Sequence, residues 1–338
     1  MNISEIAKLA GVSKTTVSRI LNNSEHVSDK TRETVLQVIR NNNYAPSSLA
    51  QGLAKNENSA IGVVIPEIDN EFFSEVLSGI NDVIDKHNLS MICCDTNNNT
   101  DREAKALKIL SQQRVQGIII TPAREGNDAL RNTLQCLNIP TVVLDRHVNN
   151  SLWDGVYYDN FNSAYAATEV LIKEGYSKIG IITGDLSLKI GRDRFAGFKR
   201  ALLDAGLQVD GRNIFRGDFS VMTAYHLSVQ LFESGRYPEA ILTCNNRTTI
   251  GFFKAARECG ICVGRDIALI GIDHVSLLDD LGIPFSCVAR DSKAMGREAV
   301  NILLERIESD TITGRKIVIV PYKIILNGSE KRSIECLT

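Results

Sequence analysis

Residues 6–22 read IAKLAGVSKTTVSRILN, and this stretch decides the fold of the first part of the chain. Ahead of it, Asn2 and Glu5 have the spacing of a capping box, so they predict the start of a first helix. Gly11 ends that helix, and Ser13 has a side chain that caps the next one. A helix, a turn containing glycine and a second helix together predict a helix-turn-helix.

Apolar spacing predicts which side chains of this small domain face its core. In the first helix, we expect Leu9 to point inward. The second helix is predicted to begin at Lys14, with Val17 and Leu21 on its buried face. Ser28 has the residue type that caps a third helix. The first part of the chain is therefore predicted to be all-α.

Charge is distributed unevenly along the chain. The whole chain carries a net charge of −2 at pH 7, whereas residues 1–55 carry seven Lys and Arg against four Asp and Glu, or +3, which leaves −5 on the remainder. Neutralised phosphates supply most of the non-specific affinity of proteins for nucleic acids. A basic head on an acidic body therefore indicates that only the head approaches a polyanion.

Several features of the composition predict a soluble, cytoplasmic protein. The chain has no run of about 18 apolar residues and no apolar segment behind a basic start, so neither a membrane span nor a signal peptide is expected. The eight cysteines lack the spacing of a disulfide framework, which favours reduced thiols. Cys259 and Cys262 form a CxxC pair, but no second pair accompanies it. The scattered histidines predict no metal site and no cofactor.

From Ala60 onward, apolar strand patterns alternate with amphipathic helix patterns. Continuous apolar strands separated by helices indicate parallel sheets that are buried on both faces. We therefore predict an α/β body with two lobes, each a parallel sheet flanked by helices. The predicted strands are 61–65, 91–94, 118–121, 141–144, 179–183, 240–243, 268–272 and 318–326, and the predicted helices include 72–87, 194–205 and 294–307.

These patterns resemble the lactose repressor (LacI/GalR) family of transcription regulators along almost the whole chain. Residues 6–22 match the helix-turn-helix signature of the family nearly position for position, and residues 43–46 and 50–54 match its hinge. The body resembles the effector domain of the family, which is itself similar to periplasmic sugar-binding proteins. The resemblance implies a helix-turn-helix domain (1–45), a hinge helix and linker (46–59), and an effector-binding and dimerisation domain (60–338), with an N-subdomain of about 60–160 and 291–320 and a C-subdomain of about 161–289 and 322–336.

The resemblance also assigns DNA contacts to the second helix. Lys14, Thr15 and Arg19 are expected to meet base edges in the major groove. Thr16 and Asn22 are expected near phosphates. An arginine suits the first role because its guanidinium bonds guanine O6 and N7 with two parallel hydrogen bonds. The alternative is that Lys14 and Arg19 only solvate a helix surface.

In the hinge, Leu53 matches the apolar wedge that the family inserts into the minor groove at the operator centre. Gly52 departs from the bulkier residue usual there, and a glycine inside a helix costs about 1 kcal/mol relative to alanine. We therefore expect a hinge helix that depends strongly on DNA and dimer contacts. Replacing Gly52 with alanine should change operator affinity or effector response in a gel-shift titration, and unchanged values would contradict this expectation.

The resemblance implies an effector site at the carboxyl ends of the parallel strands, where ligands collect in open α/β sheets. Arg194, Asn245 and Asp273 match the sugar-contacting positions of the family, and Phe72 and Phe73 match its aromatic region. A carboxylate, an arginine and an amide suit vicinal hydroxyl groups, which both donate and accept hydrogen bonds. The other contacts expected at these strand ends are Thr121, Asp145, Arg146 and Arg290.

The charge of the effector is left open by two departures from the family. Asn246 followed by Arg247 replaces an acidic residue, and Arg290 stands where a glutamine is common. Guanidinium groups bind phosphate and carboxylate oxygens well, so these changes indicate an anionic effector such as a phosphorylated or acidic sugar. The alternative is that both arginines pair with acids of the body, such as Asp291 or Glu258, and never contact ligand.

Three classes of function compete to explain these features. A transport binding protein requires a signal peptide, and an enzyme requires a motif that the chain lacks; Asp145 and Asp273 as a glycosidase pair demand more assumptions than binding alone. We therefore predict a non-enzymatic repressor of a carbohydrate-utilisation operon, whose affinity for a pseudo-palindromic operator in double-stranded DNA is controlled by a sugar-like effector. No leucine heptads follow residues 318–326, so a homodimer is expected.

Overall fold

The computed structural model describes residues 2–21, 27–42, 60–148, 150, 152–309 and 314–332. The chain divides into two compact units, Met1–Ser59 and Ala60–Thr338. None of the helices in the described ranges is both long and apolar enough to cross a membrane.

The first unit contains three helices, α1 (Ile3–Leu9), α2 (Lys14–Leu21) and α3 (Asp29–Asn41). The capping box predicted at the start of α1 is present, since Asn2 Oδ1 accepts from Glu5 N and Glu5 Oε2 accepts from Asn2 N. Gly11 has φ +65, the left-handed conformation that the turn requires. The three helices share a core that consists of Ile6, Ala7, Val17, Ile20 and Val35.

One core prediction for this unit is wrong, and one core residue was missed. Leu9 is 57% exposed and does not face the core. In α2, Leu21 is partly buried and packs against the core as predicted, whereas Ile20, which is buried beside Val17, was not predicted. Residues three apart share a helix face as readily as residues four apart, so spacing alone does not decide between these two neighbours.

Among the described residues, the second unit is built from twelve strands, nine further α-helices and two short 3-10 helices, Asp85–His87 and Gly211–Asn213. The strands are β1 (Ala60–Ile65), β2 (Ser90–Asp95), β3 (Ile118–Ile120), β4 (Thr141–Leu144), β5 (Asp154–Tyr158), β6 (Ile179–Ile182), β7 (Ile214–Phe215), β8 (Ala240–Thr243), β9 (Ala268–Ile272), β10 (Cys287–Arg290), β11 (Ile317–Val320) and β12 (Tyr322–Ile325). The helices are α4 (Glu71–Ile84), α5 (Thr100–Gln112), α6 (Asp128–Leu137), α7 (Asn160–Lys173), α8 (Lys189–Asp204), α9 (Val221–Glu233), α10 (Asn246–Glu258), α11 (Ser276–Asp280) and α12 (Ser292–Glu308).

These strands form two six-stranded sheets, one in each lobe. The first lobe has the order β11-β5-β4-β3-β1-β2 and all its pairs are parallel. The second lobe has the order β12-β10-β9-β8-β6-β7, in which β12 pairs antiparallel with β10. Apolar clusters cover both faces of each sheet, as expected for buried parallel strands.

The predicted last strand, 318–326, is two strands in different sheets. Val320 pairs with Tyr158 in the first lobe, whereas Tyr322 pairs with Arg290 in the second. Pro321 lies between them and has no N–H to donate to either sheet, which explains the break. Strands β5, β7 and β10 were missed. Strand β7 has only two residues, and β5 and β10 include the charged residues Asp154 and Arg290, so none of the three shows a long apolar run.

Helix α12 packs against α4 through two glycines. A Cβ atom added to Gly79 would lie 2.1 Å from Lys293 O, and one added to Gly296 would lie 2.2 Å from Val76 O. The two backbones therefore approach more closely than any side chain would allow. This contact holds α4, whose first turn reaches the space between the lobes, against the first lobe.

The cysteines follow the expected reduced state at most described positions. Free thiols are present at Cys93, Cys94, Cys136, Cys244, Cys259 and Cys287. Cys262 is disulfide-bonded, so the expectation is wrong there. Spacing along the sequence does not report which thiols meet in the fold. Because Cys259 is free, the CxxC pair does not close a disulfide between its own two cysteines.

Candidate functional site

The second helix of the head presents a polar, basic face. Lys14, Thr15 and Arg19 are exposed, as a base-reading surface requires. Thr16 is partly buried, and its hydroxyl lies 2.8 Å from Ser13 Oγ, which also accepts from Thr16 N. Thr16 therefore helps to begin α2. The two remaining predicted DNA contacts, Asn22 and Leu53, lie outside the described residues.

The second candidate site is the cleft between the two lobes, at the carboxyl ends of both sheets. Asp145 follows β4 and Asp273 follows β9, so they occupy equivalent places in the two lobes. Both have positive φ, 61° and 73°. Phe219, also on the cleft, has φ 71°. Left-handed conformations are costly for such residues and concentrate at functional sites. The left-handed backbone at these three residues favours this cleft as a candidate binding site.

Eight of the nine predicted effector residues line the cleft together: Phe72, Phe73, Asp145, Arg146, Arg194, Asn245, Asp273 and Arg290. Thr121 does not line it; the residue is buried at the end of β3, and its hydroxyl has no hydrogen-bond partner. Sequence reasoning also missed several lining residues. These are Glu67, Asn70, Ile190 and Phe219, with Asn246 noted only for its charge.

The sequence signal that could have identified Asn70 is an asparagine at the N-cap position of a helix. Asn70 caps α4 by accepting from Phe72 N, the position at which a side-chain oxygen satisfies a free helical N–H. Asn246 Nδ2 donates across the cleft to Asn70 Oδ1 at 3.0 Å. Asn245 caps α10 on the opposite lobe and donates to Phe219 O at 3.2 Å. Two helix starts therefore face each other across the cleft.

Arg194 is the largest fully buried side chain of the protein's described part. Its Nε donates to Asn160 Oδ1 at 2.8 Å and its Nη1 donates to Cys244 O. The guanidinium also lies 5.6 Å from the Phe219 ring centroid. Burial lowers the pKa of Arg194. The side chain remains cationic because arginine titrates so far above neutral pH.

Arg290 is held by the two cleft carboxylates. Its Nε and Nη2 donate to Asp273, the latter at 2.7 Å, and its Nη1 donates to Asp145 Oδ1 at 3.3 Å. Burial alone would lower the pKa of Arg290, but the two carboxylates outweigh it and raise the pKa above its usual value. The partners differ from the Asp291 and Glu258 considered from the sequence.

The other two arginines singled out by the sequence are also engaged by protein groups. Arg146 Nη1 donates to Asn98 Oδ1 and to two backbone carbonyls of its own lobe, while its buried Nε has no partner. Arg247 Nη1 bridges the lobes to Glu67 and Asp69, at 3.3 and 3.2 Å. The cleft therefore carries less unpaired positive charge than its arginine count indicates.

Two cavities lie between the lobes. The one that the predicted effector residues line has a volume of ≈ 40 Å³, which is small beside the cavity of about 150 Å³ that binds benzene in another protein. The neighbouring one has a volume of ≈ 270 Å³ and shares Glu67, Arg146 and Phe219 with the first. A monosaccharide therefore reaches all the predicted effector residues only if the lobes separate or side chains move. In the described part of the chain, no three His, Cys, Asp or Glu side chains are grouped as a metal site would require.

A basic helix-turn-helix and a two-lobed cleft define a ligand-controlled DNA-binding regulator, and comparison with known proteins gives its family. Residues 2–47 match the model of "Bacterial regulatory proteins, lacI family", and residues 58–326 match "Periplasmic binding proteins and sugar binding domain of LacI family". The chain belongs to the LacI family and is a DNA-binding repressor with a ligand-binding domain.

Individual proteins agree with this assignment. The chain is 30% identical to the HTH-type transcriptional repressor PurR of Pasteurella multocida over 330 residues, or 98% of this chain and 99% of that protein. A lac repressor bound to ONPG in its repressed state matches with a TM-score of 0.84 at 27% identity. A lac repressor dimer bound to operator and the anti-inducer ONPF matches with 0.82 at 27% identity. Each of these two alignments covers 97% of this chain and 99% of the lac repressor chain.

Proposed function

We propose that this repressor controls a carbohydrate-utilisation operon through a small sugar-like effector bound between its lobes. The observation that carries the proposal is the convergence of three carboxylates, three arginines, three amides and three aromatic rings on the cleft between the two sheets. Such groups both donate to and accept from hydroxyls. The match to a sugar-binding domain supports the same ligand class.

The effector is proposed to be neutral. Three acidic residues (Glu67, Asp145 and Asp273) and three arginines (Arg146, Arg194 and Arg290) line the cleft, so the formal charges balance. Arg290 and Arg247 already pair with carboxylates, which favours the alternative in which they serve the protein. This pairing argues against the phosphorylated or acidic sugar that the arginine count indicated.

The repressor is proposed to act as a cytoplasmic homodimer that binds without catalysing a reaction. Two heads fit two half-sites of a pseudo-palindromic operator. The dimer in the lac repressor–operator structure supports this assembly. Residues 46–59 are proposed to form the hinge between the proposed head, 1–45, and the body, 60–338. An effector that binds one lobe arrangement more tightly shifts operator affinity by the difference between its binding free energies for the two arrangements, typically about 1–3 kcal/mol.

A thermal-shift and calorimetry screen tests the effector class. The panel contains neutral sugars, sugar phosphates, sugar acids and purine bases, the last because planar rings would stack on Phe72 or Phe219. We expect neutral sugars to raise the melting temperature and to change binding to palindromic fragments from the adjoining gene region in gel shifts. Stabilisation by purine bases alone would overturn the sugar assignment, and stabilisation by anionic sugars alone would overturn the proposed neutral charge. Failure to bind any fragment would overturn the operator assignment.

A further inference from the structure

Arg290 reaches across the cleft from one lobe into the other. It ends β10 of the second lobe, where Asp273 of the same lobe holds its Nε and Nη2. Its Nη1 then bonds Asp145 of the first lobe. The side chains of Arg290 and Asp145 are each 5% exposed. This contact is therefore a buried ion pair between the lobes.

The first lobe provides a fitted socket for this guanidinium. Its Cζ lies 4.4 Å from the ring centroid of Phe72 and 4.6 Å from that of Tyr158. Cation–π contacts of this length are worth most where water is excluded. The Tyr158 hydroxyl is buried without a hydrogen-bond partner, so this residue contributes its ring. Two rings and a carboxylate enclose one cation.

Three of the groups that hold the guanidinium are also ones that an effector is expected to use. Asp145 and Phe72 come from the first lobe and Asp273 from the second. We propose that Arg290 is a tethered internal ligand, which occupies the effector cleft and holds the lobes closed when no effector is bound. This inference rests on the proposed function, since it concerns the regulation of the same cleft.

The proposal also specifies what an effector must offer. A ligand that enters between the lobes separates Arg290 from Asp145, while Asp273 keeps its two bonds within the second lobe. A buried carboxylate without a partner is strongly destabilising, so the ligand must supply a donor to Asp145. Hydroxyl and ammonium groups do so, whereas phosphate and carboxylate groups repel Asp145. The tether therefore favours effectors that carry hydrogen-bond donors over anionic effectors.

Other contacts between the lobes lie nearer the rim and serve as a comparison. Arg247 pairs with Glu67 and Asp69, and the three side chains are 25%, 23% and 73% exposed, compared with 5% for Arg290 and Asp145. Water screens the pairs of Arg247 more than it screens the buried pair, so they contribute less. Arg247→Gln thus removes an inter-lobe ion pair of the same chemistry without emptying the socket, which makes it a matched control.

Hydrogen–deuterium exchange by mass spectrometry on the full-length, unliganded protein tests the tether. Arg290→Gln empties the socket, and Asp145→Asn weakens only the bond between the lobes. In both variants we expect peptides covering 68–75 and 145–148 to exchange about tenfold faster, because exchange reports local opening. Peptides covering β3 should be unchanged, which shows that the first lobe remains folded. Arg247→Gln should stay within about twofold of the wild type, as a screened pair predicts.

Two results would overturn the tether. One is a rate of hydrogen–deuterium exchange of the cleft peptides in Asp145→Asn that stays within about twofold of the wild type. This variant retains Arg290 and its pair with Asp273, so it tests the tether even if Arg290→Gln fails to fold. The other is an equal increase in Arg247→Gln. These exchange measurements need neither operator nor effector. A failure of the proposed function, seen in the gel shifts and ligand screen, is therefore separable from a failure of the tether.

Discussion

At the scale of single residues, Arg194 and Arg290 have different tasks in the cleft. Arg194 bonds an amide and a carbonyl of its own lobe, with no carboxylate among its hydrogen-bond partners. Arg290 bonds carboxylates of both lobes. A cation without a bound anion is available to polarise a neutral ligand, whereas a paired cation is already satisfied. Arg194 is thus the stronger candidate for an effector contact.

Arg194→Met should lower the free energy of unfolding by about 2–4 kcal/mol, because Asn160 Oδ1 and Cys244 O would lose their donors in a buried site. Urea denaturation measures this change. Arg200→Met is the control on the same helix, since Arg200 makes an exposed pair with Asp204 and its loss should cost less than about 1 kcal/mol. Equal losses in the two variants would contradict the assigned role of burial.

Arg19→Ala should weaken operator binding by about 1–3 kcal/mol, or about 5- to 150-fold, and should relax the preference for one base pair, because Arg19 is proposed to read a base edge. Gel-shift titrations at fixed salt on the operator and on single-base variants measure both effects. Lys8→Ala removes the same charge from the exposed surface of α1. If Lys8→Ala weakened binding equally, the interpretation of Arg19 as a base reader would be wrong.

At the scale of elements, the cleft depends on how closely helices approach one another. Phe72 lies in the first turn of α4, and α4 is held against α12 by the glycine contact between Gly79 and Lys293 O. Because this backbone contact fixes the position of α4, it also fixes the position of the first turn of that helix. The socket that receives Arg290 therefore depends on a contact two turns further along α4.

Gly79→Ala should destabilise the body by about 1–3 kcal/mol, the usual cost of forcing atoms into a packed core, because its methyl group would meet Lys293 O. Thermal unfolding by circular dichroism measures this loss. Gly211→Ala is the matched control, since an added Cβ there has no atom within 4 Å. A melting temperature lowered equally by both substitutions would contradict the packing explanation.

At the scale of the whole molecule, two neighbouring leucines of the second lobe are exposed. Leu277 lies in α11 and Leu281 is the C-cap of that helix; they are 50% and 64% exposed, and because they are four residues apart they share a face. Apolar side chains grouped on the surface of a regulator mark interaction sites more often than isolated ones. We place the proposed dimer contact on this face.

Leu281→Asp should raise the dimer dissociation constant at least about tenfold, because a charge would be buried in the interface, and operator affinity should fall with it. Light scattering across a concentration series measures the assembly. Leu203→Asp changes an equally exposed leucine, 60% exposed, on α8 and should leave the dimer intact. A tetrameric wild type, or a dimer unaffected by Leu281→Asp, would contradict the proposed interface.

Local signals account for what sequence predicted well. The caps at Asn2, Ser13 and Ser28 each involve a side chain and a backbone N–H at most three residues away, so their spacing reveals them. Buried strands show as apolar runs because both faces of a parallel sheet are covered. The carboxyl ends of those strands share one edge, so eight of the nine expected cleft residues were found.

The sequence by itself determined the helix-turn-helix, the α/β body and the position of the cleft, because each follows from local propensity and strand direction. Only the tertiary structure decided what the arginines of the cleft do. Arg290 bonds Asp273, 17 positions away, and Asp145, 145 positions away. Such partners are set by the closure of two lobes, and a charge count along the chain does not report which charges neutralise each other. That closure turned an expected anion-binding arginine into an internal cation held between two carboxylates.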